Sequence, residues 1–291
     1  MDQIVTFLQN QNPIAIAAVA AALAGAYFLK TKKKSGYKYE KDIVYVIAIG
    51  PTDLQVPHPS PFALKVILFL KLANVPYKVI YSMDRGERNK MPYVYYNGEH
   101  IYDSHFIIKQ LAKKLNMTNL FQTNDQERAN EILIRRFIDE AVYWPLVYYR
   151  WVDEKTNETH KFFVAAPKWI VPLIKPRLLA GVKNQCYQAG ISRYTEEERV
   201  SLINDDMFAL STILGNKTYL FGDQIGYSDI SMFSMLAEMW TTDIPTPARN
   251  AILTHPNLVE YIERIKTKYF SVDWDQSLTT TRKLKNKSKQ Q

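Results

Sequence analysis

Residues 91–108 read MPYVYYNGEHIYDSHFII. Tyr93, Val94, Tyr95 and Tyr96 are aromatic or β-branched, the residue types that suit a pleated surface. Asn97-Gly98 comes next, and a two-residue type I′ turn needs residues that accept positive φ at both central positions. Residues 99–102 (EHIY) then form the returning strand. Asp103-Ser104 offers side-chain oxygens to the unpaired N–H groups of a helix start. Ile107, Ile108, Leu111 and Leu115 recur on one face of a helix over 103–115. The stretch therefore reads as a hairpin that runs straight into an amphipathic helix.

Upstream, residues 43–49 (IVYVIAI) form a continuous apolar run rich in β-branched side chains, as expected of a buried strand. A loop with Pro51, Pro57, Pro59 and Pro61 follows. Residues 62–75 are too apolar for a helix with one wet face, although Lys65 and Lys71 interrupt them. They predict a helix sandwiched between a sheet and a second layer, ended by Asn74-Val75-Pro76. Residues 77–81 (YKVIY) read as a second strand, and 83–90 as a short charged connection. The order strand, helix, strand, connection, strand, strand, helix predicts a small mixed sheet. Beyond residue 124 the patterns are helical, over 125–153, 161–189 (broken at Pro167, Pro172 and Pro176), 196–214, 229–240 and 256–269. Thr195 before Glu196-Glu197-Glu198 suits a helix start. The predicted fold class is an α/β domain over 43–116 followed by an all-α domain over 124–270.

Composition excludes several classes. Of 291 residues, 47% are apolar and 23% charged, which is ordinary for a globular chain. The net charge of +8 is concentrated in two clusters, Lys30, Lys32, Lys33, Lys34 and Arg282, Lys283, Lys285, Lys287, Lys289. These nine charges exceed the net, so no basic folded face remains for nucleic acid. The lone cysteine, Cys186, rules out an internal disulfide and a thiolate cluster. The five histidines show no ligand spacing, so no metal is expected.

Residues 14–29 are apolar without a polar face, and as a helix these sixteen residues span ~24 Å, against a hydrocarbon core of about 30 Å. Asp2 and the absence of Lys or Arg before the run argue against a cleavable signal peptide, although Ala24-Gly25-Ala26 resembles a cleavage site. The basic cluster after the run puts the C-terminal side in the cytosol. The expectation is one transmembrane helix within a 1–36 anchor and basic flank, making a single-pass membrane protein whose later domains are cytosolic. The sequons at Asn116, Asn157, Asn216 and Asn286 are then unmodified. A basic disordered tail is expected over 275–291.

This order of elements resembles the glutathione-transferase fold, in which a thioredoxin-like domain precedes an all-helical one. Ser60-Pro61-Phe62-Ala63 stands where that superfamily keeps its activating Ser, Tyr or Cys. Met91-Pro92 stands where it keeps a cis-proline, and Asp103-Ser104 where it keeps an acidic residue or Gln followed by Ser. The segment 221–229 (FGDQIGYSD) resembles the capping loop before the core helix of the second domain, with Gly226 where Ser or Thr is usual. The segment 59–65 (PSPFALK), the short link before Met91-Pro92, the phrase 103–108 (DSHFII) and Phe221-Gly222-Asp223 resemble the failed axon connections proteins and the nematode cadmium-responsive (cadmium-inducible lysosomal) proteins, with metaxins more distant.

The resemblance implies glutathione as substrate and a serine-type transferase in which Ser60 is the catalytic residue, its hydroxyl stabilising the thiolate. It implies a glutathione-binding set of Met91, Pro92, Asp103 and Ser104. Ser60 and Asp103-Ser104 also serve simply as helix caps, and Pro92 as the shaper of a turn. A role in cadmium or xenobiotic stress, a lysosomal or mitochondrial outer membrane address, and a homodimer or protein partner follow from the resemblance alone. The short 83–90 link, where a full transferase carries a helix, keeps open a non-catalytic metaxin-like adaptor. Tyr143, Trp144, Tyr148, Tyr149 and Trp151 are candidates either for an acceptor site or for packing.

Overall fold

A computed structural model of the chain describes residues 37–289 apart from Pro51 and Ala165, with side chains described as far as Trp274. Its first half contains β1 (Val44–Ala48), α1 (Pro61–Leu72), β2 (Tyr77–Tyr81), β3 (Tyr93–Tyr96), β4 (Glu99–Tyr102) and α2 (Ser104–Lys114). The sheet order is β2-β1-β3-β4, with β1 parallel to β2 and antiparallel to β3, and β3 antiparallel to β4. The Asn97-Gly98 turn has positive φ at both positions, 46° and 93°, as its residues predict.

Every residue of β1 is buried. Alternation sends Val44, Val46 and Ala48 into the main core, and Tyr45 and Ile47 into a smaller cluster with Ile80 and Tyr93 on the other face. Among the described residues no helix packs over that outer face. Tyr39 stacks on Tyr95 with ring centroids 3.8 Å apart. From the other side Gly86, at φ 62°, lies so close to Tyr102 that a Cβ would run into the ring. The 83–90 link thus covers the sheet with turns instead of a helix.

The second half contains α3 (Asp125–Phe137), α4 (Tyr143–Val147), α5 (Val171–Gln188), α6 (Glu196–Leu214), α7 (Tyr227–Trp240), α8 (Pro247–Leu253) and α9 (Pro256–Lys289). Wider π turns at Ile138–Val142 and Tyr148–Val152 flank α4. The first lies just ahead of Pro145, whose ring would otherwise meet the carbonyl four residues back. Thr195 and Glu198 form a reciprocal capping box on α6. Helix α7 is central: all of it except Trp240 is buried, and it packs on α1. Asp229 makes the return bond to Gly226 N at 2.9 Å and also accepts from Leu220 N at 2.9 Å. The other half of that box cannot exist, because Gly226 has no side chain.

Three expectations change. Helix α5 begins only at Val171, with Pro172 in its first turn and Pro176 inside it, so the pattern over 161–189 overstates its length. Residues 275–289, expected to be disordered, continue α9 as helix. The membrane expectation is also corrected. Residues 14–29 lie outside the described residues, and among the described residues no helix is long and apolar enough to cross a membrane. Among the described residues the fold is an α/β domain followed by an all-helical one, and it gives the expected transmembrane helix no support. The single-pass localisation, lysosomal or mitochondrial, is withdrawn with it.

Candidate functional site

The strand register gathers distant segments at one end of the sheet. Ile47 pairs with Tyr93, and Tyr93 with Tyr102. One residue further along lie Ala48, Pro92 and Asp103. Helix α1 leaves from this same end, because a helix that returns the chain to a parallel strand must start at the C-terminal end of the first one. The N-termini of α1 and α2, with Ser60 and Asp103 as their caps, thus share one edge with Met91-Pro92. The Met91–Pro92 peptide is cis.

Ser60 is half-buried, and its Oγ accepts from Ala63 N at 3.4 Å. Its O–H has no acceptor among the described residues. Its backbone N–H donates to His58 Nδ1 at 3.1 Å, which fixes that ring as the tautomer with hydrogen on Nε2. His58 is only 1% exposed, and burial pushes its pKa down to about 4, so the ring is neutral at pH 7. Just before Ser60, the Pro59 carbonyl accepts from Arg150 Nη1 at 3.2 Å. Arg150 is itself buried. Its Nη2 donates to the Glu238 carbonyl at 3.0 Å and meets Glu238 Oε2 at 3.0 Å. Burial raises the Glu238 carboxyl to about 7, against the pull of Arg150. The backbone that carries Ser60 is thereby tied to the last turn of α7.

Asp103 takes φ 71° and ψ 128°, a conformation that side chains rarely adopt. Its Oδ1 accepts from His105 N at 2.9 Å, so the cap is made despite the backbone angle. Ser104 is buried behind it. Beneath α2 lies a polar cluster that joins the two halves. Lys65 Nζ meets Asp139 Oδ2 at 2.6 Å, and Arg135 approaches the same oxygen at 3.5 Å. Both cations also lie over the Tyr227 ring, at 5.2 and 5.3 Å. His105 Nδ1 is 2.8 Å from the Tyr227 hydroxyl, with the two rings nearly parallel. Burial, then the charges of Arg135 and Lys65, push His105 down to about 4. Burial also lowers the Lys65 ammonium, against the pull of Asp139.

All five residues singled out by sequence thus stand at or beside one edge. Arg150, His58 and the Lys65–Asp139 pair were missed. Lys65 registers in the sequence only as an interruption of an apolar helix, while Arg150 and His58 give no local signal at all. The aromatics Tyr143, Trp144, Tyr148 and Trp151 pack around Val147, Cys186 and Ile191. One contact leads from them toward Ser60: Phe62 and Tyr143 have ring centroids 4.9 Å apart.

Residues 61–156 match the glutathione S-transferase N-terminal domain family, and residues 203–265 the glutathione S-transferase C-terminal domain family. Failed axon connections of Drosophila melanogaster is 29% identical over 83% of this chain and 61% of its own length, so the chain spans about three fifths of that relative. The isoprene-epoxide–glutathione S-transferase of a Rhodococcus strain is 27% identical over 74% of this chain and 94% of its own length. The Arabidopsis thaliana protein named mitochondrial outer membrane import complex protein metaxin is 26% identical over 78% of this chain and 73% of its own. Among solved structures, the β-etherase LigF of a Sphingobium strain superposes with a TM-score of 0.55 at 14% identity, covering 81% of this chain and 99% of that one. The mango Tau-class glutathione S-transferase gives 0.53 at 14%, covering 86% and 99%. At such identity the structural likeness concerns the fold alone. With the N-terminal and C-terminal domain families matched in order and these homologues beside them, the chain belongs to the glutathione-transferase-like superfamily, related to Failed axon connections and metaxin.

Proposed function

We propose that this chain binds glutathione at the edge shared by Ser60, Met91-Pro92 and Asp103-Ser104, and transfers it to an electrophile. The observation that carries this reading is the Ser60 hydroxyl at the positive end of α1, whose proton has no acceptor among the described residues. A thiolate held there receives that hydrogen bond as well as the helix field. A free thiol has a pKa near 8.5, and such surroundings lower it. The main chain of Met91 is available to the peptide part of the substrate. Ser104 and its amide, at the start of α2, take the γ-glutamyl carboxylate, while Asp103 takes the γ-glutamyl amine. In the transfer the thiolate sulfur forms a bond to the electrophilic carbon, and the leaving oxygen or halide departs with the bonding pair. Ser60 donates a hydrogen bond throughout and is not consumed. The strained backbone of Asp103 supports the same reading, because strain of this kind collects where a ligand is clamped. The Rhodococcus relative, named for a glutathione transfer to an epoxide, supports the electrophile class.

A second reading is favoured by one feature. The 83–90 link forms turns, and the metaxin and Failed axon relatives share this chain's likeness. On that reading the fold is a non-catalytic surface for a protein partner. Retention on glutathione resin and conjugation turnover separate the two, measured for the chain and for Ser60→Ala. The transferase reading expects retention by both and a turnover loss of about 10–100-fold in the variant. Turnover indifferent to the serine removes its role, and absence of retention favours the partner-binding reading.

A further inference from the structure

Arg150 is where the helical half grips the backbone of Ser60. Its side chain is 5% exposed, and its Nη1 donates to the Pro59 carbonyl at 3.2 Å. That carbonyl and the Ser60 N–H belong to one rigid peptide plane, and the N–H goes to His58 Nδ1. A tilt of the guanidinium therefore turns the plane and moves Ser60 with it.

The partner that holds Arg150 is fully buried. Glu238 Oε2 lies 3.0 Å from Nη2, yet neither oxygen of this carboxylate receives a hydrogen bond among the described residues. Charge attraction, without a well-aimed donor, joins the two side chains. Apolar replacement of such a pair is often neutral or stabilising, so stability does not account for it. Glu158 lies on the other edge of the fork, its Oε2 3.7 Å from Nε. Lys161 takes Glu158 at 2.7 Å and Asp243 at 3.3 Å, and the Tyr149 hydroxyl turns to Glu196. A cavity of about 10 Å³ among these groups, lined also by Thr242 and Thr246, has room for one water through which Glu238 can exchange a proton.

We propose that Glu238 is a positioning residue for Ser60, acting through Arg150. Its carboxylate holds the guanidinium fork on the Pro59 carbonyl, and its neutral carboxyl lets the fork tilt toward Glu158. The bond from Nη2 to the Glu238 main-chain carbonyl persists in both states, so the charge sets the tilt and not the presence of Arg150. Any effect on turnover rests on the transferase reading, whereas the coupling itself needs no glutathione. Burial favours the neutral form and Arg150 the charged one, which leaves the carboxyl at about 7. Ser60 is therefore held in place above that pH and loosened below it. The fold as a whole gains no stability from this ionisation, because the carboxyl is raised and not lowered; the gain is local. His58 and His105, at about 4, titrate outside this window. Asp229, raised to about 6 by burial at the far end of α7, is controlled for by the variants.

Amide exchange by NMR, corrected for its intrinsic pH dependence, tests this on the whole chain without ligand. The Ser60 and Ala63 N–H groups are expected to gain about threefold in protection from pH 6 to pH 8, while those of the 93–102 hairpin gain nothing. Glu238→Gln should show the low protection at both pH values, and Glu238→Asp should recover part of the gain. No gain at Ser60 in the unaltered chain overturns the inference whatever the variants do, and so does a Glu238→Gln chain that melts normally and keeps the gain. Turnover separates the two readings: with conjugation present, kcat of Glu238→Gln at pH 8 should fall about tenfold, with KM for glutathione within about twofold. The exchange pattern without conjugation removes the transferase reading and upholds the coupling. Conjugation without the pattern does the reverse.

Discussion

Lys65 on α1 and Asp139 beyond α3 meet at 2.6 Å across the junction of the two halves, and the lysine side chain is 1% exposed. A buried ammonium survives only with a partner, and here two carboxylate neighbours and one tyrosine ring share it. The pair therefore registers α1, and with it Ser60, against the helical part.

Lys65→Met alone leaves Asp139 with Arg135 at 3.5 Å, a weaker substitute. The expected loss is about 2–4 kcal/mol in denaturant unfolding. Asp139→Leu strands the lysine and costs at least as much. The double variant should recover most of either loss, because apolar replacement of both members removes the desolvation penalty with the attraction. Additive losses in the double variant would mean that the two side chains do not interact.

Gly86 predicts a backbone effect where the 83–90 link packs on the outer face of the sheet. At φ 62° a side chain there is strained and meets Tyr102. Gly86→Val should destabilise the chain by about 1–3 kcal/mol. Gly98 in the hairpin also has positive φ but nothing near its would-be Cβ, so Gly98→Ala should lose less. Equal melting shifts would show that Tyr102 yields freely.

Asp103→Asn separates two roles. Asn keeps an oxygen for the His105 N–H and tolerates positive φ, so stability should stay within about 0.5 kcal/mol. The carboxylate that would face the γ-glutamyl amine is lost, so glutathione affinity by calorimetry should fall about tenfold. A stable variant with unchanged affinity would confine Asp103 to capping.

Acid should loosen the fold through His58 and His105. Both have pKa values lowered from 6.5 to about 4. Between those values the unfolded chain binds protons that the folded chain refuses, so their contribution is complete above pH 6.5 and is lost as pH falls toward 4. The slope is at most about 1.4 kcal/mol per pH unit for each fully buried ring, and less for the half-exposed His105. His58→Gln should flatten the fall in urea midpoint between pH 6.5 and 4. An unchanged slope would mean that other groups carry it.

Local signals carried the framework, and long-range chemistry escaped. Asn97-Gly98 was legible because few dipeptides accept two positive φ angles, and 43–49 because a strand covered on both faces has no polar positions. The segment 62–75 announced its sandwiching by lacking a wet face. The pairing of Lys65 with Asp139 spans 74 residues, and nothing near either one signals it. Arg150 reads as an ordinary basic residue until Pro59 and Glu238 are brought to it. The helix over 275–289 was unexpected because Thr and Lys in that stretch leave no apolar stripe.

The most direct test is the ionisation of bound glutathione, followed by thiolate absorbance as pH is raised, for the chain and for Ser60→Ala. A bound thiol with a pKa clearly below ~8.5, returning to that value without the hydroxyl, is the predicted result. The same pKa in both proteins would contradict a serine-stabilised thiolate.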